Sequence, residues 1–241
     1  MDSKFPWIQE LWLIQDFVNS RTFVNSGYLW IQDSYGCRIL MDAGFIWIED
    51  SYGCRILMDS GFFWIQDSFG FRILICSGFL WIQDSCGSRI LVDSGSLWIR
   101  NSRGFRNFGE LRILWIEDSS ELRIVLDSGS LVNSGFFWNR DSYGFRILLD
   151  SGFTEIRDSY GLRIHRDSGF LYIKDSYGFT ILVDSGFWWT HDPYGFRILM
   201  DTGFTEIRDS YALRILMDSG FLWIQDSGGF TIHMDFGFLW I

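Results

Sequence analysis

One unit of 17 residues, returned along the whole chain, constrains this sequence more than any other feature. Trp30-Ile31-Gln32-Asp33-Ser34-Tyr35-Gly36 comes back as Trp47-Ile48-Glu49-Asp50-Ser51-Tyr52-Gly53, and again from Trp64 and from Trp81. The marker aspartate runs through Asp16, Asp33, Asp50, Asp67 and Asp84 to Asn101 and Asp118 at a spacing of 17, then jumps 23 residues to Asp141. A local duplication accounts for the extra six: Asp127-Ser128-Gly129-Ser130-Leu131-Val132 is echoed by Asn133-Ser134-Gly135-Phe136-Phe137-Trp138. The spacing of 17 then holds through Asp158, Asp175, Asp192, Asp209 and Asp226. A repeat of this length predicts stacked copies of one small unit rather than a domain with a unique interior. We therefore read residues 1–241 as a single tandem array, irregular at 101–141, with no linker.

Each unit is itself two related halves, of the forms DSYGFRILM and DSGFLWIQ. Each half opens on turn chemistry, because Asp bonds its own backbone two residues on and Gly takes positive φ without steric penalty. About five residues rich in Phe, Ile, Trp and Leu follow, a strand by length and composition. Helices are a poor alternative, since Gly and Asp-Ser every eight or nine residues would interrupt them before three turns. The pattern predicts an all-β fold, a β-solenoid of two short strands per coil, with a hairpin meander as the alternative. Period-2 alternation places Phe71, Ile73 and Ile75 on one face and Arg72 and Leu74 on the other. In the second half, Phe62, Trp64 and Gln66 oppose Phe63 and Ile65.

Composition removes several function classes. With 30 acidic against 20 basic residues the formal charge is -10, which disfavours nucleic acid, whose phosphates need a basic face. No apolar run approaches the ~18–20 residues of a membrane helix. The start Met1-Asp2-Ser3-Lys4 carries an acid where a signal peptide carries positive charge, so no export signal is expected. Recurrent windows such as Gly61-Phe62-Phe63-Trp64-Ile65 combine β-propensity with no charge, and proline occurs only at Pro6 and Pro193. Self-association through β-strand edges and a tendency to aggregate are therefore expected.

Residues that could carry chemistry are read against the slots they fill. Cys37 and Cys54 replace Phe71 and Phe105, Cys86 replaces a Tyr, and Cys76 replaces an Asp. Their spacing fits no zinc pattern, and substitution explains them better than a disulfide or metal clip. His165 and His233 stand in a Leu slot and His191 in a Gln slot, so no triad, metal or cofactor site is predicted. The aspartate rows would bring like charges about 5 Å apart between coils. Turn formation explains them better than calcium binding, with Arg38, Arg55, Arg72 and Arg89 as candidate partners. A row of Trp30, Trp47, Trp64, Trp81, Trp98 and Trp115 is the candidate ligand-facing ladder, although Glu155 and Glu206 later take its slot.

Differences between units follow the genetic code more closely than side-chain volume. One slot reads Cys37, Cys54, Phe71, Ser88, Phe105, Leu122, Phe145 and Leu162, all single-base neighbours of a Phe codon, where a selected core would favour matched volumes. The sequence thus predicts a non-enzymatic repetitive protein from a recently expanded tandem DNA repeat, without an evolved biochemical role. The alternative is a β-solenoid module presenting Trp, Asp and Gln ladders to carbohydrate, ice or another repetitive surface.

Overall fold

The structure, a computed structural model, describes residues 11–15, 21–126 and 135–241. The opening Met1–Lys4, Pro6, the marker Asp16 and the duplicated stretch from Asp127 to Ser134 lie outside them. All regular structure among the described residues is β. The chain divides into two compact units, Met1–Leu111 and Arg112–Ile241. Each is a parallel β-solenoid of 17-residue coils.

In the first unit the coils Arg21–Gln32, Arg38–Glu49, Arg55–Gln66, Arg72–Gln83 and Arg89–Arg100 pair in sequence. Register is in step with the repeat: Ile48 lies beside Ile65 and Trp47 beside Trp64. Both predicted arms are present in each coil. Hydrogen bonding continues through the Asp-Ser-Gly bend, however, so the two arms read as one 12-residue strand. In Arg55–Gln66 the first arm buries Ile56 and Met58 and exposes Arg55 and Leu57. The second arm buries Phe63 and Ile65 and turns Phe62 and Trp64 outward. Strict alternation from Met58 would have buried Phe62 instead, so the bend shifts the inward set by one residue.

The second unit repeats this arrangement in Thr180–His191, Arg197–Arg208, Arg214–Gln225 and Thr231–Trp240. Between Arg146 and Lys174 the arms are separate strands, Arg146–Leu149, Gly152–Arg157, Arg163–Arg166 and Phe170–Lys174. Where the spacing jumps, Arg123 pairs with Arg146 and Trp115 with Trp138. Gly135 follows Leu126 by nine residues where Gly61 follows Met58 by three, and the arms on either side keep the register of the repeat.

The corner between coils is built by Asp-Ser-x-Gly. Asp67 takes φ 47° and Gly70 φ 72°, the left-handed region that Asp tolerates better than most residues and Gly best of all. Ser68, fully buried, donates from Oγ to Gln66 O at 2.6 Å and accepts from the Ser51 N–H at 3.2 Å. The same pair of bonds recurs at Ser51 and Ser85. At these corners one serine hydroxyl per coil ties the corner to the next and satisfies a buried N–H, whereas Pro193 fills the serine slot at the corner that opens on Asp192.

Candidate functional site

The structure places the predicted tryptophan row on the outside of the second arm. In the first unit Trp30, Trp47, Trp64, Trp81 and Trp98 stack in register. Successive ring centroids are 6.1, 5.3, 4.9 and 4.6 Å apart, and the planes of the Trp64–Trp81 pair are 1° from parallel. In the second unit Trp115 meets Trp138 at 5.3 Å with a 43° tilt. Stacking of this kind covers each inner indole's faces with its neighbours and turns only ring edges to solvent. A sugar docks on an aromatic face, so inner members of this row offer none to it.

Its polar edge is equally informative. The Nε1 atoms of Trp47, Trp64 and Trp81 are buried and have no hydrogen-bond partner among the described residues. In the second unit, Trp138 Nε1 donates to Glu155 Oε2 at 2.7 Å and Trp189 Nε1 to Glu206 Oε2 at 2.9 Å. Each glutamate also pairs with an arginine two residues on, Arg157 and Arg208. The glutamates that interrupt the row in sequence are therefore accommodated by it. They accept an indole N–H of the kind that is without a partner at Trp47, Trp64 and Trp81 among the described residues.

At Asp67, Asp84, Asp141 and Asp175 the corner carboxylate pairs with the Gln, Arg or Lys that stands just before it. Gln66 and Gln83 donate to Asp67 and Asp84 at 3.1 and 2.9 Å, and Arg140 and Lys174 pair with Asp141 and Asp175 at 3.2 and 3.6 Å. His191 fills the same slot, with Nδ1 2.6 Å from Asp192 Oδ2 and Nε2 3.5 Å from Asp209 Oδ2. These three side chains put one ligand atom each within 4.8 Å of one another, the arrangement among the described residues that could hold a cation. The slot's ordinary donor role accounts for the geometry without one.

Cys37 and Cys54 are buried cysteines of adjacent coils and are not joined by a disulfide, whereas Cys76 is exposed and Cys86 half-buried. The hydrogen bond between the Cys54 and Cys37 thiols, with burial second, pushes the Cys54 pKa far above the ordinary thiol range, so its nucleophilic thiolate is suppressed. An aromatic disulfide reagent added to native protein should react with Cys76 and Cys86 and reach Cys37 and Cys54 only on denaturation. Fast labelling of all four in the native state would contradict this packing.

Sequence reasoning missed Arg166. It stands where Met41, Met58, Met200 and Met217 stand in other coils, and it is buried. Its guanidinium donates to Ser168 O at 2.5 Å, Thr154 Oγ1 at 3.0 Å, Phe170 O at 2.8 Å and Gly152 O. None of these acceptors is a carboxylate, and burial lowers its pKa to about 10.

No family model, curated protein or solved structure matches this chain. The repeat, its coil and its ladders are thus interpreted from their own chemistry. Among the described residues no helix is long and apolar enough to cross a membrane, which says nothing about barrels.

Proposed function

We propose that this chain is a non-enzymatic repeat protein produced by expansion of a 17-codon tandem repeat, without selection for a ligand or reaction. The observation that carries the reading is where the drift between units falls. Cys54, Phe71 and Ser88 occupy one fully buried slot in three consecutive coils although their volumes and polarities differ widely. Ile slots hold Asn107, Asn139 and Thr190, all buried. Both polar side-chain atoms of Asn107, Oδ1 of Asn139 and Oγ1 of Thr190 have no hydrogen-bond partner among the described residues. An unsatisfied buried polar group costs about 1–3 kcal/mol, a burden that selection on a packed core removes.

The coding sequence tests this directly. Codons of aligned units should differ at first and second positions about as often as at third positions. A strong excess of third-position differences would mean that the protein has been maintained and would overturn the reading.

The regular outer rows support a second reading, a module for a repetitive surface such as ice or a glycan. A glycan array and an ice-recrystallisation assay on the folded chain should both be negative; a specific signal in either would favour the module.

A further inference from the structure

At His191 the donor slot before a corner aspartate holds a group with a second nitrogen to offer. Elsewhere the slot holds Gln66 or Gln83, whose side-chain N–H bonds the adjacent carboxylate and leaves no basic atom. His191 makes the same contact through Nδ1, 2.6 Å from Asp192 Oδ2. A carboxylate only accepts, so the hydrogen of the neutral imidazole sits on Nδ1 and Nε2 keeps its lone pair. Across the coil step Nε2 faces a second carboxylate, Asp209 Oδ2, at 3.5 Å. Two electron-pair donors then confront each other with no hydrogen between them. Both cations beside His191 in the ladder are engaged by carboxylates of their own: Lys174 by Asp175 at 3.6 Å, and Arg208 by Glu206.

We propose that His191 Nε2 and the Asp209 carboxylate bind a divalent transition-metal ion of the zinc class, with Asp192 as the positioning residue. Distance supports it first. Metal bonds of about 2.0–2.1 Å at a tetrahedral angle set neighbouring ligand atoms about 3.3–3.5 Å apart, and Nε2 and Asp209 Oδ2 have that spacing. It is long for an N–H···O bond. Asp192 supplies the second feature: a metal-bound histidine gives its other N–H to a carboxylate, which fixes the tautomer and raises the basicity of the ligating nitrogen. Two carboxylates beside a neutral imidazole carry a double negative charge, which a divalent ion cancels. The imidazole selects zinc-like ions over Ca2+ and Mg2+, which take oxygen ligands. All three side chains are partly exposed, so an ion enters from solvent and water completes its coordination. His233 is the internal comparison. Its Nε2 lies 3.4 Å from Asp235 Oδ1, but among the described residues no carboxylate meets its Nδ1. The site needs only two adjacent folded coils and stands whether or not the repeat was selected.

Zn2+ is the probe, titrated into the full chain with Cys76 and Cys86 alkylated so that thiols do not compete. In nitrogen NMR spectra of histidine-labelled protein, the Nε2 resonance of His191 should move and saturate. His233 should follow only at about tenfold or more higher Zn2+, for want of the positioning carboxylate. Ca2+ at the same concentrations should move neither. Zn2+ affinity, measured by competition with a chromophoric chelator, should fall about tenfold or more in His191→Gln and in Asp209→Asn, each the loss of one ligand. Asp192→Asn should cost about tenfold, as outer-shell carboxylates do, with His191 still the residue that responds. Gln66 and Asn101 already occupy these slots, so the variants hold residues that the coil accommodates. Asp67→Asn, at a corner of the first unit, should leave affinity within about twofold. An equal loss in Asp67→Asn would overturn the proposal, since corner carboxylates at large would then hold the ion. Full affinity in His191→Gln or Asp192→Asn, His191 and His233 responding together, or Ca2+ moving His191 would each overturn it as well.

Discussion

Gly61→Ala should disrupt its coil, while Gly53→Ala, eight residues earlier, should be absorbed. The two glycines represent rows with different work. At the bend, Gly61 has φ 147°, and a Cβ there would lie 2.1 Å from Gly44 O and 2.2 Å from Met58 Cε. The methionine end can move, but the carbonyl belongs to the neighbouring coil's backbone and is fixed by the ladder. Strained φ and an immovable clash together are expected to remove about 3–5 kcal/mol. At the corner, Gly53 has φ 69° and the nearest atom to an added Cβ is 3.9 Å away, which leaves only the left-handed penalty of about 1–2 kcal/mol. The sequence supports the contrast: the corner slot holds Glu121 and Ala212 at φ 57° and 58°. The bend slot departs from glycine among the described residues at Arg112, where the two compact units divide. Because a repeat array need not unfold in one step, hydrogen exchange of residues 38–66 is the suitable measurement. Protection in Gly61→Ala equal to that in Gly53→Ala would show that the bend can relax.

The coil itself was legible in the sequence because repetition and alternation both act locally. Phe71, Ile73 and Ile75 in the first arm and Phe63 and Ile65 in the second are the sets that alternation groups, and all are buried. The Asp-Ser-x-Gly turn was legible for the same reason, since left-handed φ at Asp and Gly depends on the residues themselves. What escaped depends on the neighbour 17 residues away. Glu155 looked like a break in the tryptophan row until the stack put its carboxylate against the Trp138 N–H. The two glycine rows looked equivalent because the clash at Gly61 comes from the next coil. The continuity of the strand through the bend is likewise a property of the ladder. Arg166 was visible in its methionine slot, but a charged residue in a drifting repeat reads as noise until its burial is known.

Arg166→Met should stabilise the second unit and rejoin the strands around it. The native guanidinium is satisfied in hydrogen bonds but not in charge, so the fold bears a buried cation with no counter-ion. Burial lowers its pKa to about 10, which corresponds to a penalty of about 3 kcal/mol at neutral pH. Replacing a buried charge by an apolar residue of similar volume is often stabilising, by about 1–4 kcal/mol, and methionine already fills this slot at Met200 and Met217. The arginine also draws the carbonyls of Gly152, Ser168 and Phe170 toward itself. These lie at the bends of the two coils whose arms separate into Arg146–Leu149 with Gly152–Arg157 and Arg163–Arg166 with Phe170–Lys174. With methionine in place, exchange protection at residues 167–169 should rise to that of the corresponding bend in Arg214–Gln225. The pH dependence separates charge from packing. Because the folded-state pKa is the lower one, the folded protein binds fewer protons than the unfolded chain from about pH 10 up to the ordinary guanidinium range, and native stability rises with pH across that window. The gain from Arg166→Met should therefore be largest below pH 10 and shrink through it. A variant less stable than the native protein at neutral pH would show that the four hydrogen bonds of Arg166 outweigh its stranded charge.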